Sequence, residues 1–128
     1  MIKHQKFASR VFFVAGIYGV LVLLPQYFME TRIAIDFPPA ITHPENFYGF
    51  IGVALAWQFV FFIIARDVQR YRLLMLPAIV EKLAFGLPAW LLYVQDRVVT
   101  AVVTAGTIDL LLAILFVTAF RITRSPAG

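Results

Sequence analysis

Four stretches of this chain, Val11–Met29, Phe47–Ala65, Leu73–Val94 and Val98–Phe120, run for 19 to 23 residues with no more than two charged side chains in any of them. A helix rises about 1.5 Å per residue, so each stretch reaches roughly 28 to 35 Å, enough to cross about 30 Å of hydrocarbon. Four such spans with short connectors use nearly all of the 128 residues. The expected fold is all-α, a single domain built as a four-helix transmembrane bundle, with no room for a separate soluble domain.

Composition agrees. Only 14% of residues are charged, against roughly 25% in a soluble domain. Cysteine is absent, which removes disulfides, thiolate metal sites, iron–sulfur clusters and cysteine nucleophiles together. The two histidines, His4 and His43, flank the spans. Bis-histidine haem ligation inside the bundle is therefore not expected, and neither a metal nor another cofactor is predicted. Phosphate loops and Ser–His–Asp arrangements are missing too.

The net charge of +4 does not point to nucleic acid, because the basic residues sit at helix ends. Lys3, Lys6 and Arg10 precede the first span, Arg66, Arg70 and Arg72 join the second to the third, and Arg121 and Arg124 follow the fourth. The other two connectors hold only Arg32 and Arg97. Eight against two, the same way in every loop, predicts both termini on the cytoplasmic side of the inner membrane. The first span ends in bulky Gln26-Tyr27-Phe28-Met29-Glu30, so it reads as a retained anchor, not a cleaved signal. In the long outer connector, Thr42-His43-Pro44-Glu45 has capping-box spacing and starts the second helix near His43. Arg66, Arg70 and Arg72 could meet lipid headgroups or a partner, although an ordinary positive-inside connector explains them as well.

Ionisable groups inside a span are costly and mark function by default. Glu81 and Lys82 in the third span and Asp109 in the fourth are of this kind. Helical rise places them about 12 to 17 Å from the cytoplasmic face, with Gln58 and Tyr18 near 10 Å and Trp57 beside Gln58. Asp109 lies on a row with Ala101, Ala105 and Ala113, and Lys82 on one with Ala78, Gly86 and Ala89. Small residues allow close helix approach, so a Lys82–Asp109 ion pair across the hairpin is expected, with Glu81 turned about 100° away toward Gln58 or Tyr18. Glu81 and Lys82 together cost the third helix about 5 to 7 kcal/mol, against roughly 3 to 7 returned by its aliphatic and Phe side chains, so it should hold best beside the fourth. Such a pair can equally be a structural device that fixes helix register. Gly16 and Gly19, and Gly49, Gly52 and Ala56, read as close-packing faces serving the bundle or an oligomer.

The basic N-terminus, the glycine-containing first helix and the stretch Asp109-Leu110-Leu111-Leu112-Ala113-Ile114-Leu115-Phe116 resemble small bacterial four-helix membrane proteins of the DoxX-like type. That resemblance implies a four-helix architecture and, for some members, a likeness to subunits of quinone-linked oxidoreductases. A second likeness, to the four-helix sterol-isomerase-like domain, rests on Glu81 and Trp57 and implies chemistry at a buried carboxylate. No catalytic residue is carried over from either. The function expected is an accessory or partner subunit of a membrane complex. The alternative is a membrane-embedded enzyme or carrier for a lipophilic substrate or protons that uses the buried carboxylates. Expected partners are the lipid bilayer and either further copies of the chain or a larger membrane complex.

Overall fold

A computed structural model describes residues 2–124, and every regular element among them is helical. The elements are α1 (Lys3–Leu23), α2 (Glu30–Asp36), α3 (Pro44–Arg66), α4 (Met75–Val94) and α5 (Thr100–Ile122), with short 3₁₀ turns at Leu24–Phe28 and Arg72–Leu74. Four of the helices, α1, α3, α4 and α5, are long and apolar enough to cross a membrane.

Local chemistry sets most of the boundaries. Pro25 has no N–H to continue the ladder of α1, and the chain tightens there into the 3₁₀ turn. Helix α2 was not expected. It forms where Arg32 pairs with Asp36 at 2.9 Å across one turn and stops at Phe37, the residue before Pro38, where helical geometry is disfavoured. The start of α3 corrects the capping box. Pro44 takes the first helical position, which makes His43 the N-cap and leaves it without a side-chain capping bond. Glu45 is then one residue too early to close the box, and its carboxylate meets His43 Nδ1 at 3.2 Å in an exposed pair. Between α4 and α5, Arg97 N donates to Leu92 O and Asp96 N to Tyr93 O, with Asp96 at φ 57°. These are the bonds of a Schellman motif with Asp in the left-handed position usually given to Gly.

The long helices pack as two pairs, α1 with α3 and α4 with α5, joined where α1 meets α5, while α3 and α4 make little contact. One core cluster gathers Ala8 and Phe12 of α1, Phe61 and Ile64 of α3, Met75 and Ala78 of α4, and Phe116 and Ala119 of α5. The starts of α1 and α4 thus lie with the ends of α3 and α5, and the four run alternately up and down. Phe12 stacks on Phe116 with centroids 4.2 Å apart, and Phe61 meets Phe116 edge-on at 5.1 Å. Such aromatic pairs add about 0.5 to 1.5 kcal/mol beyond burial. Ser9 ties α1 to the end of α3 by donating to Ala65 O at 2.6 Å.

The two helix pairs close differently. On α4, Ala78, Lys82, Gly86 and Ala89 are all buried, the row expected from sequence. On α5 the buried row is Val103, Gly106, Ala113, Phe116 and Ala119. A Cβ at Gly106 would lie 2.6 Å from Ala89 Cβ, and one at Gly86 would lie 2.9 Å from Gly106 O, so the two backbones meet there. Ala101 and Ala105 do not join this contact. They face the space between the helix pairs. In the other pair, Gly16 makes room for the Phe62 ring and Gly19 for the Gln58 amide. Of the other row, Gly52 lies against Tyr27, whose hydroxyl would be 3.1 Å from an added Cβ, while Gly49 has nothing within 4 Å of one and Ala56 is exposed, so only Gly52 packs within this chain.

Candidate functional site: a charged cluster on an apolar cavity

Because α3 and α4 stand apart, a cavity of about 970 Å³ opens between the helix pairs. All five helices contribute to its wall, which is mostly aliphatic and aromatic. Ile33 of α2 and Phe37 just after it line the end away from the core cluster, which is what the unexpected helix does for the site. Phe50 of α3 and Phe85 of α4 span the gap with ring centroids 6.2 Å apart.

Tyr18, Trp57, Gln58, Glu81, Lys82 and Asp109, the polar layer expected from helical depth, all line this one cavity. Lys82 is its hub. Its Nζ lies 3.4 Å from Asp109 Oδ1 and 3.6 Å from Glu81 Oε2, and 5.2 Å from the Phe61 ring centroid. The ion pair across the hairpin is therefore present, but Glu81 does not turn away to Gln58 or Tyr18 as expected. Adjacent residues leave a helix about 100° apart, yet a four-carbon lysine stem is long enough to bring the ammonium back to its neighbour's carboxylate. One ammonium serves two carboxylates, and among the described residues no other charged side chain lines the cavity. With both carboxylates ionised the cluster holds a formal charge of −1.

Gln58, only 1% exposed, donates from Nε2 to Ala54 O at 2.7 Å. That bond fixes the amide orientation, since the reverse would set oxygen against oxygen. Its Oε1 lies against Gly19. Neither Gln58 Oε1 nor Glu81 Oε2 has a hydrogen-bond partner among the described residues. A third acceptor was passed over in sequence. Pro88 lies inside α4 and has no N–H for the carbonyl of Ala84 four residues back, and Ala84 also lines the cavity. The signal was a proline in the middle of an apolar run.

The connector arginines divide. Arg72 gives Nε and Nη2 to Phe120 O at 2.9 and 2.6 Å and stacks 3.7 Å over the Phe120 ring. Gln69 adds a bond to Thr123 O at 2.7 Å. Arg72 thus satisfies one carbonyl at the end of α5, as a cation at a helix C-terminus does, while Arg66 and Arg70 stay exposed. No three His, Asp or Glu side chains gather as metal ligands among the described residues. The chain matches no protein-family model, no curated protein and no solved structure.

Proposed function

We propose that this is a multi-pass inner-membrane protein with both ends cytoplasmic, and that it binds a lipophilic molecule inside its bundle, as a carrier or as an enzyme acting at the charged cluster. The observation that carries this reading is the cavity of about 970 Å³ with Glu81, Lys82 and Asp109 on its wall. Its size lies within the roughly 300 to 1,000 Å³ of small-molecule sites, and its makeup, apolar with a few convergent polar groups, is theirs too. A polar layer serving only register would be sealed by packing, as Gly86 and Gly106 seal the α4–α5 contact.

Native mass spectrometry of the protein, released from its own membrane in a mild detergent, tests the reading. The wild type should carry a lipophile of defined mass. Ala105→Phe, which puts a ring into the cavity, should be folded and bare. Identical adducts on both proteins, or none on either, would remove the support for a binding role.

A further inference from the structure

We propose that the cavity takes a lipophilic amine as its ammonium ion, with the cationic head at Glu81 and Asp109 and the tail along the apolar wall toward α2. This rests on the cavity being a binding site. The first support is charge balance. The lining holds two carboxylates and one ammonium, and an unbalanced charge in a low-dielectric interior is costly until a proton or a bound cation neutralises it. A cationic head brings the cluster to zero, whereas a carboxylate or phosphate head would double its excess.

Hydrogen bonding points the same way. Gln58 Oε1 is an acceptor without a donor, Glu81 Oε2 has only the Lys82 ammonium at 3.6 Å, which it shares with Asp109, and Pro88 leaves the Ala84 carbonyl short of a donor. The donors already present are committed, since Lys82 is drawn to both carboxylates and Gln58 Nε2 to Ala54 O. An ammonium head has donors and no acceptor, so it suits a wall with a surplus of acceptors, while a ketone or ester would add to the surplus. Trp57, Tyr18 and Phe85 face the same space, and aromatic faces attract a desolvated cation. Lys82 does not occupy this place itself. Its side chain is only 4% exposed, against 18% for Glu81 and 15% for Asp109, so the carboxylates are the groups open to a ligand. The weakly packed α3–α4 side, bridged by Phe50 and Phe85, gives an amphiphile lateral access from the bilayer.

Three probes with one tail and different heads test this: dodecylammonium, dodecanol and dodecanoate. Each is titrated calorimetrically into the full-length protein in phosphatidylcholine nanodiscs, with empty discs subtracted. The ammonium should bind about tenfold or more tightly than the alcohol, as a charge-assisted contact would give, and the carboxylate more weakly than either. Glu81→Gln should bring the ammonium down to the alcohol while leaving alcohol binding in place, which also reports that the variant is folded. If alcohol and ammonium bind alike, or if Glu81→Gln leaves their ratio unchanged, the head-group assignment is wrong. The cavity reading survives that result provided Ala105→Phe abolishes alcohol binding. If no probe binds and Ala105→Phe changes nothing, the cavity reading fails and the head-group assignment with it.

Discussion

Lys82 is shared by Asp109 on the facing helix and Glu81 on its own, and this sharing makes the cluster asymmetric. Removing the ammonium leaves two buried carboxylates side by side. Removing the Asp109 charge leaves Lys82 with Glu81 and a neutral pair. Lys82→Gln is therefore expected to cost about 3 to 5 kcal/mol, the usual penalty for stranding a buried charge, and Asp109→Asn clearly less. Thermal unfolding in detergent compares them, and equal losses would show that Glu81 does not share the ammonium. The Lys82–Asp109 pair was legible because depth along a helix follows directly from residue number. The partner of Glu81 was not. Spacing tells where a Cβ points but not how far a flexible stem reaches back. Asp96 was equally hidden, since its left-handed backbone closes α4 through two hydrogen bonds, and Asp tolerates that region better than most residues without demanding it.

At the scale of elements, the α4–α5 hairpin depends on the backbone contact at Gly86 and Gly106. Gly106→Ala places a methyl 2.6 Å from Ala89 Cβ and should cost about 1 to 3 kcal/mol by overpacking. Ala101→Leu, five residues earlier on the same helix but directed into the cavity, should leave hairpin stability within about 0.5 kcal/mol. The same unfolding measurement distinguishes the two helix faces, and a reversed order would mean that the Ala101–Ala105–Asp109 row is the packing face after all. Sequence pointed to the Ala101–Ala105–Asp109–Ala113 row on α5, yet small residues occur on the Gly106 face as well. Only the partner helix decides which row is touched. Helix α2 escaped notice for a related reason: two turns are too few for a periodic signal, and its helicity rests on the Arg32–Asp36 pair and the proline stop. The α3 start was legible to within a residue through Pro44, but the capping box was not, because proline's preference for the first helical position overrode the Thr–Glu spacing.

For the whole molecule, the number of long helices and their alternation were readable from the apolar runs, whereas the cavity was not. A sequence shows the faces of each helix, and the space depends on α3 and α4 failing to meet. The alternation also sharpens the case for orientation. The cluster uniting the starts of α1 and α4 with the ends of α3 and α5 puts Lys3, Lys6, Arg10, Arg66, Arg70, Arg72, Arg121 and Arg124 at one end of the bundle, with Arg32 and Arg97 at the other. Arg72 spends its guanidinium on Phe120 O, yet the orienting bias rests on positive side chains near span ends and not on their partners, so the end with eight should stay cytoplasmic. Because the chain has no cysteine, a single introduced thiol reports its own side. In intact bacterial cells whose outer membrane has been made permeable, a thiol reagent that cannot cross the inner membrane should label Asp96→Cys and spare Lys3→Cys, and after lysis it should label both. The opposite pattern would invert the molecule. The α2 end of the cavity would then face the cytoplasm and a ligand would be drawn from the other leaflet, while the charged cluster itself would be unchanged.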